Sequence, residues 1–319
     1  METSRLGPFE GVSRLTLGGG GIGQLWGETT VEEALATVRA SLEAGITLID
    51  TAPIYLGCED VIASAFHGAL PEGVRITSKC QLGAPAAGTA RALLASSLDV
   101  SLAAMRLEHV DAFFLHSNIC EDDTVYAHGH DRRDSFATPW SQYVDEVAPA
   151  LESLKSSGRV GAWGITGVGV PSAILKSLAH ETRPDLVQIV TNLLDSPGAM
   201  RRYAEAPRPR ELIAAAVSHG VGVMGIRAVQ AGALTSGIDR TLRHTHPEVA
   251  DFHRARPYRA LCDELGEDPA LLAHRYALGM DGVDTVVLGV KNRQELAQCV
   301  RAESLGPLSE DVRARIDDL

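Results

Sequence analysis

The sequence predicts an α/β protein, a closed (β/α)8 barrel of the TIM type with long loops at the C-terminal face of its strands. Three observations predict it: short apolar runs alternate with helical patterns, the apolar runs number eight, and several end on a polar residue. Such alternation implies parallel strands joined by right-handed crossovers, and eight strands favour closure over the competing doubly wound open sheet. No linker divides the 319 residues, so one domain spanning 1–319 is expected.

The strands are read in order at Arg14–Gly18, Ile46–Thr51, Val74–Lys79, Val110–His116, Arg159–Thr166, Leu186–Val190, Val221–Ile226 and Asp284–Gly289. Between them, Val31–Ala44 carries Leu35, Val38 and Leu42 at helical spacing, with Thr30 and Glu33 as a capping box and Gly45 as the stop. Further helical patterns fall at Ala92–Met105, Val147–Gly158, Pro171–Ala179, Glu211–Gly220 and Pro269–Met280. Two long irregular stretches, Ser117–Val144 and Ser236–Arg256, follow strand ends and are expected to wall a pocket.

The composition, 45% hydrophobic and 22% charged, supplies ample material for a core. A formal charge of −12 excludes an extended nucleic-acid surface, although a local basic pocket for a small anion remains compatible with it. The cysteines Cys58, Cys80, Cys120, Cys262 and Cys299 are odd in number and lack metal-ligand spacing, which fits free thiols in a reducing compartment. The opening METSRLGPFEGVSRL has no apolar run of signal length, and no later stretch approaches a membrane span, so a cytoplasmic location is expected. His128 and His130 lack convergent ligands, and no metal is expected.

In such a barrel, chemistry sits where strands end. Asp50, Lys79, His116 and Thr166 close apolar runs, and a further run leads into Lys291. Each residue singly has an ordinary explanation as a cap, a surface group or packing. Together they would converge on one rim, where a partly desolvated Lys79 needs a carboxylate that Asp50 on a neighbouring strand supplies.

The stretch Asp50–Tyr55 (DTAPIY), with the later Thr-Ser-Lys and Phe-Leu-His runs in order, resembles the aldo-keto reductase signature. The resemblance continues through LTLGGGG, GITG, VQIVTN, GALTSG and VLGVKN. It implies an NADPH-dependent oxidoreductase that reduces an aldehyde or ketone, a small-molecule carbonyl or sugar, with Tyr55 as general acid. Lys79 beside a phenol of ordinary pKa near ~10 would ease proton release, Asp50 would hold Lys79, and His116 would orient the carbonyl.

Gly18, Gly20 and Gly23 spell G-x-G-x-x-G, yet the first helical pattern begins only near Thr30, which argues against a Rossmann site. By the resemblance, these glycines and Gly21 let the backbone approach the nicotinamide end, a purely structural turn being equally compatible with each. The resemblance assigns Thr166 and Gln188 to the nicotinamide, with Gln188 at a strand end. It assigns Ile226, Arg227, Ala228, Gly232 and Leu234 to the segment beneath the nicotinamide and pyrophosphate, and Gly289 and Gln298 to the adenosine end. Gly167, Ile226, Gln298 and Cys299 depart from its usual residues, and Arg227 is left between a phosphate and a substrate anion.

Lys291 and Arg293, cations near a helix start, suit a 2′-phosphate and favour NADPH over NADH. Trp26 and Trp140, with Tyr126, His128 and His130, are candidates for the substrate wall. Two rival readings are a Schiff-base barrel enzyme using Lys79 and a catalytically silent nucleotide-binding sensor. The sequence names neither the physiological carbonyl nor the oligomeric state.

Overall fold

A computed structural model describes residues 1–319. Its strands are β1 (Thr3–Leu6), β2 (Phe9–Ser13), β3 (Leu15–Gly18), β4 (Leu48–Asp50), β5 (Arg75–Cys80), β6 (Val110–Leu115), β7 (Asn118–Cys120), β8 (Ala137–Pro139), β9 (Val160–Thr166), β10 (Leu186–Val190), β11 (Gly222–Ile226) and β12 (Thr285–Leu288). Eight of them close a parallel barrel in the order β3-β4-β5-β6-β9-β10-β11-β12, β12 pairing back onto β3. All eight apolar runs are barrel strands.

The alternation of strand side chains explains how this barrel builds a site. Phe113, Leu115, Ile49, Ile76, Trp163, Ile165, Val187 and Ile189 join the main core. The opposite parity contributes Leu48, Ala112, Phe114, Ala162, Leu186 and Met224 to a second, interior cluster. Two residues further along β4 and β10, and four along β9, the same inward parity reaches Asp50, Gln188 and Thr166, and beyond β6 it reaches His116. One apolar layer at the strand starts thus supports one polar layer at the strand ends. Gly164 fits this scheme because a Cβ there would lie 2.3 Å from the Phe114 ring.

The sequence reading missed the antiparallel hairpin β1–β2, whose Leu6 and Val12 join the interior cluster and stopper the opposite end of the barrel. It also missed helices at Cys58–Phe66, Arg256–Leu265 and Glu310–Asp317. The two long stretches are more ordered than expected. Ser117–Val144 contains β7 and β8 and turns helical from Trp140, and Ser236–Arg256 contains the helix Pro247–Arg254. A one-turn helix, Gly19–Ile22, does open inside the glycine motif, so the ground given against a Rossmann site was incomplete. The closed parallel barrel is the decisive ground. No helix is long and apolar enough to cross a membrane.

The capping box is half realised. Thr30 Oγ1 accepts from the Glu33 amide at 3.1 Å, but the Glu33 carboxylate goes to Arg293 instead of back to Thr30.

Candidate active site

Lys79 is fully buried inside the barrel, where an unpaired ammonium would be very costly. Its Nζ donates to Asp50 Oδ2 at 2.7 Å and to the Thr51 carbonyl at 2.8 Å. Asp50 Oδ1 accepts from Thr77 Oγ1 at 2.7 Å and from Gln188 Nε2 at 2.8 Å. The carboxylate is therefore held from β5 and β10 at once. Burial opposes the Lys79 charge, but Asp50 and Tyr55 outweigh it and raise the pKa, so the ammonium is retained.

Tyr55 lies in the turn after β4, with Lys79 Nζ 5.0 Å from its ring centroid. The expected easing of proton release is only part of the balance. Burial raises the phenol pKa, the Lys79 charge lowers it, and the net direction is upward. Tyr55 is accordingly a neutral phenol at ordinary pH. His116 meets Tyr55 edge-on, with ring centroids 5.9 Å apart. Burial, helped by Lys79, pushes the imidazole pKa down to about 3, and Nδ1 is buried without a partner. A neutral imidazole offers one N–H donor, the group that a carbonyl oxygen requires.

These residues open onto a cavity of about 420 Å³. Asp50, Tyr55, His116, Thr166 and Gln188 line it at the strand ends, and Trp26 lines it beside Gly289 and Arg240. Ile226, Arg227, Ala228 and Gly232 line it further along, and Gly289, Lys291 and Gln298 reach the far end beside His274 and Cys299. Gly18, Gly20, Gly232, Gly237 and Gly289 border it.

Other assignments are displaced. Gly21 packs on backbone rather than on the cavity, since a Cβ there would lie 1.9 Å from the Val290 carbonyl oxygen. Leu234 is wholly buried in the core. Arg293 is exposed and paired with Glu33. Trp140 begins a helix, its ring 5.7 Å from Tyr143 and 6.1 Å from His180, and does not line the cavity. Tyr126 is buried, its amide donating to His130 Nδ1 at 3.3 Å, and neither they nor His128 line the cavity.

Arg227 lines the cavity, but its guanidinium is committed elsewhere. Nη2 donates to Glu248 at 2.7 Å and Nε to Gln230 at 2.7 Å. Its backbone, with φ of 60°, joins Gln230 and Ala231 in the left-handed region, where side chains are rarely tolerated without surrounding support. Gln188 sits in the middle of β10, not at its end, and one N–H of its amide goes to Asp50, leaving the other N–H and the oxygen for a ligand.

Several lining residues escaped sequence reading: Leu25, Met200, Asp239, Arg240, His274 and Glu295. Only membership in the long segment from Ser236 hinted at Asp239 and Arg240. Thr77, the second donor to Asp50 Oδ1, was visible as an inward-parity residue of the Thr-Ser-Lys run.

A parallel barrel with a buried lysine–carboxylate pair set against a tyrosine and a histidine defines one polar site at the strand ends. Residues 14–319 match the model of the aldo/keto reductase family, and the chain belongs to that family. It is similar to L-galactose dehydrogenase of Arabidopsis thaliana, 25% identical over 92% of this chain and 86% of that protein. A methylglyoxal reductase of Escherichia coli (strain K12) is 29% identical over 42% of this chain and 39% of that protein. The fold matches a glycerol dehydrogenase of Gluconobacter oxydans with a TM-score of 0.72 and 21% identity, over 99% of this chain and 94% of that one. It also matches an aldo-keto reductase of Bacillus halodurans in its holo form, with a TM-score of 0.73 and 20% identity over 100% and 96% of the two chains. General oxidoreduction follows from the family, which uses nicotinamide cofactors.

Proposed function

We propose that this protein reduces the carbonyl of a small aldehyde, ketone or sugar to an alcohol in the cytoplasm, with Asp50, Tyr55, Lys79 and His116 as its catalytic group. The observation that carries the proposal is the buried Lys79–Asp50 pair set against Tyr55 and a neutral His116 at one cavity. A nicotinamide dinucleotide would supply hydride to the carbonyl carbon when bound, and Lys291 is the cation that would meet the 2′-phosphate of NADPH. Gln188 and Thr166 would hold its amide end, and Gln298 and Lys291 its adenosine end.

The protein's own part is proton management and charge stabilisation. Tyr55 gives its phenolic proton to the carbonyl oxygen, and the phenolate so formed is stabilised by the Lys79 ammonium. Asp50 keeps that ammonium charged and aimed, while His116 donates a hydrogen bond to the same oxygen. The raised Lys79 pKa disfavours the Schiff-base alternative, which needs a neutral amine.

Tyr55→Phe tests the proposal. NADPH binding, followed by fluorescence titration, should stay within about threefold, while carbonyl-dependent NADPH oxidation falls roughly 10²–10⁴-fold, the range of a lost general acid. Undiminished oxidation would remove Tyr55 from its role. Cofactor binding by the unmodified protein without oxidation across aldehydes, ketones and sugars would favour a silent sensor.

A further inference from the structure

The cations assigned to a 2′-phosphate are already engaged by carboxylates. Glu33 Oε1 accepts from the Arg293 backbone N–H at 2.9 Å and from Nε at 3.1 Å, and Oε2 accepts from Nη2 at 2.9 Å. An anion is thus built into the start of the helix Arg293–Ser304. Glu295 repeats the arrangement on the cavity side. Its Oε2 accepts from the Lys291 backbone N–H at 2.8 Å, and its Oε1 lies 3.0 Å from Lys291 Nζ. Asp239, reaching over from the loop after β11, takes the same ammonium. Lys291, Glu295 and Asp239 all line the cavity.

A helix N-terminus with two adjoining cations attracts a phosphate because its amides and charges lack partners. Here they have them. A dianionic 2′-phosphate must displace Glu295 and Asp239 from Lys291 or remain close to both. The 2′-hydroxyl of an unphosphorylated ribose has no such conflict, since it can donate a hydrogen bond to a carboxylate.

We propose that Glu295, assisted by Asp239 and on the outer side by Glu33, offsets the attraction of Lys291 and Arg293 for a 2′-phosphate, so that the chain binds NADH about as tightly as NADPH. The inference rests on the reading that the cavity takes a nicotinamide dinucleotide and makes Glu295 a specificity-determining residue of that site.

Equilibrium fluorescence titrations with NADH and with NADPH, on the unmodified protein and on Glu295→Gln and Glu33→Gln, test it without turnover. The unmodified protein should bind the two with Kd values within about threefold. Glu295→Gln should shift the ratio roughly tenfold toward NADPH, about the effect of one charge-assisted contact, and the exposed Glu33→Gln about twofold in the same direction. A preference for NADPH above about tenfold in the unmodified protein, or a ratio unmoved by Glu295→Gln, overturns the inference while leaving the dinucleotide reading intact. Binding of neither nucleotide overturns that reading and the inference with it.

Discussion

The two ends of the cavity are built on opposite principles. At the end near Tyr55, Asp50, Lys79 and Gln188 are buried side chains on barrel strands, Lys79 paired with Asp50 on the adjacent strand and Asp50 with Gln188 across the barrel. At the far end, Lys291, Asp239 and Glu295 are carried by loops and a helix start, with Arg293 and Glu33 paired outside the cavity, and these ion pairs are partly or largely open to solvent. On the proposed function, the first arrangement fixes a proton donor and the charge behind it. The second makes contacts that a ligand can exchange. Catalytic chemistry demands the former because orientation and desolvation set the strength of each interaction, whereas ligand choice needs only a difference between competing partners.

The contrast breaks most visibly under substitution of the two lysines. Lys79→Met leaves Asp50 buried without its countercharge and should cost roughly 3–5 kcal/mol in urea denaturation, together with nearly all carbonyl reduction. Lys291→Met, at a partly solvated set of pairs, should cost less than about 1 kcal/mol. Equal losses would show that burial does not separate the two ends.

A pH series sharpens the same contrast. With the Tyr55 pKa raised and that of His116 near 3, reduction should run without a break between about pH 5 and pH 8. A break near the ordinary histidine value that disappears in His116→Asn would place the imidazole in a different state. The stability sign follows from the same shift. His116 is neutral in the fold but takes a proton near ~6.5 when unfolded, so its contribution is complete above that value and declines as pH falls toward about 3. Urea midpoints should therefore drop between neutral and mildly acidic pH, and less steeply in His116→Asn.

The smallest effect on turnover is expected outside the cavity. Trp140→Ala removes packing against Tyr143 and His180 and should cost roughly 1–3 kcal/mol of stability, with carbonyl reduction changed less than about twofold. A large fall in kcat/KM on bulky carbonyls, without loss of stability, would return Trp140 to the substrate wall.

Much of the barrel was legible because strand and helix periodicity is local. The run Val110–His116 shows itself as a buried strand closed by a polar residue without any knowledge of its neighbours, and Pro171–Ala179 carries its own start signal. The Cys58–Phe66 helix and the β1–β2 hairpin were not legible, the former being short and the latter stabilised by docking Leu6 and Val12 under the barrel. Trp140 was misplaced because aromatic residues in a long segment look alike whether they face a ligand or a neighbouring helix.

The sequence by itself determined the eight-strand alternation, the placement of polar residues at the strand ends and the order of Asp50, Tyr55, Lys79 and His116. These follow from the local pattern of apolar and polar residues and from the spacing of residues in one motif. The tertiary structure alone decided who answers each charge. Gln188 holds Asp50 across 138 positions of chain, Arg227 turns to Glu248, and Glu33 leaves its own helix cap to occupy the start of the Arg293–Ser304 helix 260 positions away. Ion pairing depends on distance in space and on the local dielectric, and neither quantity is encoded in the spacing of residues along the chain.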